Sequence, residues 1–161
     1  MRSFTLREAM ADDARAVAEV QLTGWREAYG DWLTPDFWNS VSVESQTTRL
    51  GARVGQPGVL MMVAESDGAI VGYAVSGPRR EPDAPRQLEL YALYQLAAMH
   101  GSGSGQALLD AVIGTRPAYL WVLAKNGRAQ SFYRRNGFET DRVTRPLEYF
   151  EGLIEGRMVR R

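Results

Sequence analysis

The spacing of apolar residues changes period several times along the chain, and each change predicts an element. Phe4 to Arg7 alternates apolar with polar, which predicts a short strand. From Ala14 the period lengthens. Val17, Ala18, Leu22, Trp25, Ala28 and Tyr29 fall on one helical face, with Asp12 or Asp13 placed to cap it and Gly30-Asp31 to end it. Thr34-Pro35-Asp36 is a second helix start, a cap residue followed by proline at the first helical position; Phe37, Trp38 and Val41 form its apolar face. Ser42 is placed to cap a third helix over roughly 43 to 54, which carries Arg49 and Arg53.

Beyond the turn at Gly55-Gln56-Pro57-Gly58 the period shortens to that of strands. Val59 to Glu65 and Ala69 to Ser76 predict a hairpin joined at Ser66-Asp67-Gly68. Gly77 to Arg86, with three prolines and several charges, predicts a surface loop. Leu88 to Leu96 is strand-like, and Gln106 to Ile113 is a small-and-apolar helix. Between them stand three alternating glycines, Gly101, Gly103 and Gly105. Pro117 breaks the chain before a short buried strand, Ala118 to Leu123. Asn126 to Arg135 is amphipathic and closes on Asn136-Gly137, a left-handed cap. Phe138 to Val143 predicts a strand, Arg145-Pro146 the start of a loop, and Ile154 to Arg160 the last strand. No repeats interrupt this order. It predicts a mixed α/β layer fold in a single domain over residues 1–161.

Composition narrows the function. A chain of 161 residues is long enough to bury a real core. The formal net charge is +0, so no bulk attraction to nucleic acid or to an anionic membrane is expected, and neither is expected as a partner. There is no cysteine, which excludes disulfides, thiolate metal sites and a cysteine nucleophile, and fits a cytoplasmic location. The N-terminal MRSFTLREAMADD lacks the apolar core of a signal peptide, and no apolar run is long enough to span a bilayer. Asp12-Asp13 reads as a helix cap, so no metal site is expected.

The glycine stretch has three readings. A flexible linker does not fit its apolar, periodic flanks. A nucleotide loop fails on spacing. Gln106 stands where a dinucleotide fingerprint needs glycine, and the sole lysine, Lys125, is too distant for a P-loop. The third reading is an anion cradle, in which glycines bring backbone N–H groups close to a ligand at a helix start.

Here the chain resembles a known family, the GCN5-related N-acetyltransferases (GNAT). Gly103 and Gly105 fit the two glycine positions of its motif Gln/Arg-x-x-Gly-x-Gly/Ala; His100 occupies the Gln/Arg position, a departure. Asn126 to Phe138 resembles the more specific second signature, Asn-x-x-Ala-x-x-Phe-Tyr-x-x-x-Gly-Phe. Trp25-Arg26-Glu27-Ala28-Tyr29 looks like the first-helix pattern of many bacterial members. The resemblance implies a mostly antiparallel twisted sheet flanked by helices, with splayed central strands. It implies acetyl-CoA as co-substrate and a small-molecule or peptide amine as acceptor, and it allows a homodimer.

Site residues follow from the same resemblance. Gly101, Ser102, Gly103, Ser104, Gly105 and Gln106 are expected at the pyrophosphate of coenzyme A. Gln95 and Leu96, at the strand end, are expected to offer free backbone groups to pantetheine; Ala97-Ala98 replaces the Pro-Glu pair common at this turn. Asn126 is expected to bond the pantetheine arm or cap its helix. Tyr133, seven residues on and on the same face, matches the tyrosine that often protonates the departing sulfur. Glu89 is the candidate base, at an offset where some members carry a catalytic glutamate. Among Leu88, Leu90 and Leu93 it would be partly desolvated; the alternative is a solvated glutamate or one ion-paired to an arginine. Tyr91 shares its face unless a bulge intervenes. His100 is expected at the surface or the phosphate rim, not in catalysis, since no G-x-S-x-G elbow supports a triad.

Trp25, Tyr29, Trp32, Phe37 and Trp38 cluster at the first helix and its exit, where they wall an acceptor pocket or simply form core. Arg145 to Glu151 is the candidate opposite wall, with Glu148 attracting an amine. With no cysteine to carry a covalent intermediate, transfer is expected to be direct, in a ternary complex. A non-catalytic acyl-CoA-binding module would keep the glycines but not need Tyr133 and Glu89. Another acyl group or a hydroxyl acceptor would leave the same sequence pattern.

Overall fold

A computed structural model of the chain describes residues 2–147 and 152–161. Strand β1 (Thr5–Glu8) is followed by helices α1 (Ala14–Tyr29), α2 (Pro35–Ser40) and α3 (Val43–Gly51). Then come the hairpin β2 (Leu60–Ser66) and β3 (Ala69–Pro78), and strand β4 (Leu88–Gln95). Helix α4 (Ser104–Val112), strand β5 (Ala118–Leu123) and helix α5 (Gly127–Arg135) follow. Strands β6 (Glu139–Pro146) and β7 (Ile154–Arg160) end the fold.

Local chemistry explains the boundaries. The Thr34 hydroxyl accepts from Phe37 N at 3.3 Å, that of Ser42 from Ser45 N at 3.0 Å, and Asn126 Oδ1 from Ala129 N at 3.1 Å. Each satisfies a backbone donor that the helix start leaves unpaired. Asp67 and Gly68 take φ of 51° and 77°, the left-handed pair that a two-residue hairpin needs.

Four predicted details differ. Asp13 does not cap α1; its carboxylate accepts from Arg7 at 2.6 and 2.9 Å and from Met10 N at 2.7 Å, because a short 3-10 turn precedes the helix. Helix α3 stops at Gly51 and runs on as turns. Helix α4 begins at Ser104, two residues earlier than its apolar pattern suggests, because Gly103 supplies the left-handed entry. Strand β6 continues through Arg145 and Pro146 where a loop was predicted. It is an edge strand, where proline's missing donor costs no ladder bond.

The seven strands run in the order β1-β2-β3-β4-β5-β7-β6, antiparallel except for β4 and β5. Helices cover both faces. Leu108, Leu109 and Val112 of α4, with Ile113 just beyond it, pack with Leu90, Leu120, Phe138 and Met158. Val17, Ala18 and Val20 of α1 and Leu50 of α3 pack with Val63, Tyr73 and Val75 on the other face. Burying each of these large side chains contributes about 1.5–3 kcal/mol.

Two features of β4 position the site. It pairs with β5 only at Glu89–Tyr119 and Leu90–Leu120. Its register with β3 shifts at the same place: Ser76 faces Leu90 and Val75 faces Ala92, which leaves Tyr91 as an extra, bulged residue. A bulge bends its strand and increases the twist, and β4 leaves β5 from this point. The Tyr91 ring then lies over Gly77, where an added Cβ would sit 2.5 Å from the phenolic oxygen. Gly77→Ala should therefore cost about 1–3 kcal/mol of stability through overpacking, read as a lowered urea midpoint. An unchanged midpoint would mean that Tyr91 does not depend on this contact.

Candidate active site

The divergence of β4 and β5 opens a cleft of about 920 Å³. Its walls come from α1, the end of α3, the glycine loop, α5 and the β6–β7 end of the sheet. The Leu96 N–H donates to Val71 O at 2.9 Å and sets the phase of the β3–β4 ladder. Alternate residues of an antiparallel strand face the partner, so Leu93 and Gln95 turn their N–H and C=O groups the other way, into the cleft. Leu96 was expected to offer free groups and does not. Its carbonyl also accepts, from Met99 N at 2.9 Å, and its side chain packs on the α1 face. The free backbone lies at Leu93 and Gln95.

The glycine loop divides its work by alternation. Gly101 and Gly103 take φ of 81° and 90°, which side-chain-bearing residues rarely adopt. His100 N bonds Ala97 O at 3.0 Å, Ser102 N bonds Met99 O at 3.1 Å, and Ser104 N bonds Ser102 Oγ at 3.2 Å. The N–H groups of Gly101, Gly103, Gly105 and Gln106 have no acceptor among the described residues, and these four residues line the cleft. They sit at the start of α4, where aligned peptide dipoles favour an anion.

The two serines build this loop rather than face the cleft. Ser104 Oγ donates to Gln95 Oε1 at 2.6 Å, and Ser102 Oγ donates to Ser104 Oγ at 2.9 Å. The loop is thereby docked on the end of β4, close enough that a Cβ at Gly105 would crowd the Gln95 amide at 3.3 Å. The Gln106 side chain is held by Asp110 and Asn136 at 2.9 and 2.7 Å, which leaves its N–H exposed to the cleft.

His100 lines the cleft beside Arg128 of the first turn of α5. Burial, then the neighbouring Arg128 charge, lowers the His100 pKa, so the ring is neutral near pH 7. Arg128 escaped the sequence reading because it occupies an unspecified position of the Asn126-to-Phe138 signature. Its place two residues after the cap was the available signal.

Tyr133 is buried, its ring edge-on to Phe132 at 5.3 Å and to Phe138 at 5.8 Å. Its phenol has no hydrogen-bond partner among the described residues, and the residue lines the cleft. Burial raises its pKa, so it stays protonated. Asn126 caps α5 and lines the same wall beside Tyr29, whose own pKa is raised by burial although Tyr94 and Asn126 lie against it.

Glu89 does not line the cleft; it takes the ion-paired arrangement facing an arginine. It is 1% exposed and accepts four hydrogen bonds: from Arg80 N, Nε and Nη2 at 3.2, 3.1 and 2.6 Å, and from the Tyr119 hydroxyl at 2.8 Å. Arg80 comes from the loop before β4, and in folding back it closes over both Glu89 and the Tyr91 ring, 4.3 Å from the ring centroid. Trp25, Tyr29 and Tyr91 line the cleft. Phe37 and Trp38 instead pack with each other and with the small cluster around Leu33, Leu123 and Leu153; Trp32 stacks on Tyr29. Arg145 and Leu147 stand on the opposite wall, Arg145 paired with Glu155 at 2.8 Å. Glu148 lies outside the described residues. Among the described residues no group of three or more acidic, histidine or cysteine side chains is placed to hold a metal, and no helix is long and apolar enough to cross a membrane.

Residues 57–140, more than half of the chain, match the family model described as Acetyltransferase (GNAT) domain. The chain is 30% identical over 128 residues to the uncharacterised N-acetyltransferase YuaI of Bacillus subtilis (strain 168), covering 76% of this chain and 73% of YuaI. The fold is similar to the crystal structure of PaiA N-acetyltransferase from Thermoplasma acidophilum in complex with coenzyme A. That match has a TM-score of 0.73 and 18% identity over 99% of each chain. It is also similar to a ribosomal-protein-alanine N-acetyltransferase from Brucella melitensis, with a TM-score of 0.72 and 24% identity over 97% of this chain and 98% of that one. These two likenesses concern the fold. The family match runs from the start of β2 through α5, the part of the chain that builds the open strands, the glycine loop and the Tyr133 wall, and on that match and the YuaI relationship this protein belongs to the GNAT acetyltransferase family.

Proposed function

We propose that the chain is an acetyl-CoA-dependent N-acetyltransferase that moves an acetyl group to a primary amine of a small molecule or peptide, by direct transfer within a ternary complex. One observation carries the reading: four unpartnered backbone donors at the start of α4 and the open edge of β4 line one continuous cleft. The donor set fits the cofactor. Gly101, Gly103, Gly105 and Gln106 would hold the pyrophosphate, with Arg128 and His100 at its rim, and the backbone of Leu93 and Gln95 would pair with pantetheine amides as a strand does.

The thioester supplies an activated acyl carbon. The chain's own groups supply position and protons. An alkylamine, with a pKa of about 10 in the manner of lysine, must lose a proton before it can attack. Glu89 is held by Arg80 and Tyr119, so we assign it to positioning those two groups and assign the amine's proton to water in the cleft. Tyr133 is suited to the opposite task. Its phenol is protonated, unpartnered and on the cofactor wall, and it can give its proton to the departing sulfur. The unpartnered phenol also favours catalysis over a binding-only module.

Tyr133→Phe should lower kcat by about 10²–10⁴-fold with little change in coenzyme A affinity; an unchanged kcat removes the acid role. Glu89→Gln should lower stability by about 1–3 kcal/mol, by breaking a buried network, without reshaping the pH–rate profile; loss of the acidic limb, where rate rises as a base deprotonates, would return Glu89 to the base role. The pH dependence of binding has a definite sign. In the free protein the lowered His100 pKa makes acidification cost stability, since the unfolded chain takes the proton first. A bound phosphate reverses that preference, so coenzyme A affinity should rise from about pH 8 to about pH 6. His100→Gln should remove this rise, and a rise that survives in the variant would exclude His100 from the phosphate rim.

A further inference from the structure

The end of the cleft away from the glycine loop carries charge that the transfer chemistry does not use. Arg49 stands in the last turn of α3 and Arg53 in the turn that follows, four residues on, so both project from one side of buried Leu50. Arg80 reaches the same place from the loop after β3. All three line the cleft. Arg80 and Arg53 stand over one aromatic ring, that of Tyr91, at 4.3 and 5.4 Å. The ring is fixed beneath them by Gly77 and by its hydroxyl, which donates to Pro78 O.

These cations are not fully balanced among the described residues. Glu89 neutralises Arg80. Arg49 and Arg53 have no acidic partner among the described residues, although Arg53 is half-buried. Burial, then repulsion from Arg80 and Arg49, lowers the Arg53 pKa, which is the signature of a cation short of a counter-ion. Among the described residues, the two carboxylates that line the cleft are committed elsewhere, Glu27 to Ala97 N at 2.9 Å and Glu155 to Arg145. A second unmet demand lies on the same wall. Gln21 is buried and lines the cleft; its Nε2 donates to the Tyr73 hydroxyl at 3.0 Å, but its Oε1 has no partner among the described residues. Among the described residues, the cleft thus presents two guanidinium groups without an acidic partner and one unpaired acceptor.

We propose that Arg49 and Arg53, beside the Tyr91 ring, form an oxyanion subsite for the acceptor, and that the acceptor is a small amine carrying its own oxyanion, as an amino acid does. The proposal rests on the N-acetyltransferase reading above and names its substrate class. The guanidinium fork matches a carboxylate or a phosphonate with two parallel hydrogen bonds. The orphaned Gln21 oxygen is an acceptor for the amine N–H. A compact acceptor also suits a cleft that must hold the pantetheine arm as well.

The test is a steady-state series with acetyl-CoA: amino acids, their carboxamides and aminoalkylphosphonates, monitored by free thiol release. Amino acids should exceed their carboxamides by about 10-fold or more in kcat/KM. Phosphonates that match or exceed the carboxylates would keep the subsite and reassign its oxyanion. Arg53→Gln should lower kcat/KM for the acids by about 10- to 100-fold, leaving the carboxamides and the KM for acetyl-CoA unchanged, and Arg53→Lys should recover part of the loss. Arg49→Gln, at an exposed position, should act in the same direction and serves if Arg53→Gln does not fold. Carboxamides as good as acids, or equal losses for both, would overturn the proposal. If no amine is acetylated, the transferase reading fails, and the subsite is judged by calorimetric binding of glutamate. Binding that is lost in Arg53→Gln upholds it; no binding, or unchanged binding, overturns it.

Discussion

Between Tyr91 and Gln95, strand β4 is hydrogen-bonded on one side only. On the other it leaves β5 after two paired positions, while β5 stays bound to β7 as far as Leu123. Backbone groups inside a sheet are normally satisfied by a neighbouring strand, and leaving them open carries a cost unless water or a ligand takes them. Everything else in the molecule is arranged around this opening. The bulge at Tyr91 starts it. Cores on both faces hold the diverging strands apart, α4 with its cluster on one side and α1 with α3 on the other.

The opening also sorts the chemistry along the cleft. At one end the glycine loop turns donors inward while its serines and Gln95 fix its shape. At the other, arginines gather over Tyr91. Tyr133 stands on the wall, with its hydroxyl kept neutral by burial. The two ends both present positive charge, but by different means: backbone donors and a helix start at one, guanidinium groups at the other. A cofactor with a pyrophosphate and an acceptor with its own oxyanion would therefore enter in a defined order of parts, with the reacting groups meeting between them. Glu89 holds Arg80 over the Tyr91 ring, which gives that end of the cleft its form.

Most of the fold was legible because its signals are local. Period changes, Ser42, Thr34 and Asn126 as caps, and the Asp67-Gly68 turn each act within a few residues. The glycine loop and Tyr133 were legible for the same reason, since their spacing alone places them at a helix start and on one helix face. What escaped depends on pairing across the sequence. The bulge at Tyr91 is set by the register with β3, and nothing in Leu88 to Leu96 announces it. The same register moved the free backbone from Leu96 to Leu93. Glu89 read either as a partly desolvated base or as an ion-paired glutamate facing an arginine, and the choice was open because its partner Arg80 lies in a loop that the local pattern leaves without a direction. Arg49 and Arg53 were placed on their helix, but their convergence with Arg80 needed the tertiary fold.

The most direct measurement is amide hydrogen exchange by NMR, with and without coenzyme A. Among the described residues the N–H groups of Gly101, Gly103, Gly105 and Gln106 find no acceptor, and those of Leu93 and Gln95 turn away from β3. On this account these amides exchange readily in the free protein and slow by about 10-fold or more when coenzyme A is bound, while His100, Ser102 and Ser104, already bonded within the loop, change little. Protection that falls elsewhere, with the alternate glycines unaffected, would contradict the claim that the open strand and the glycine loop together form the cofactor site.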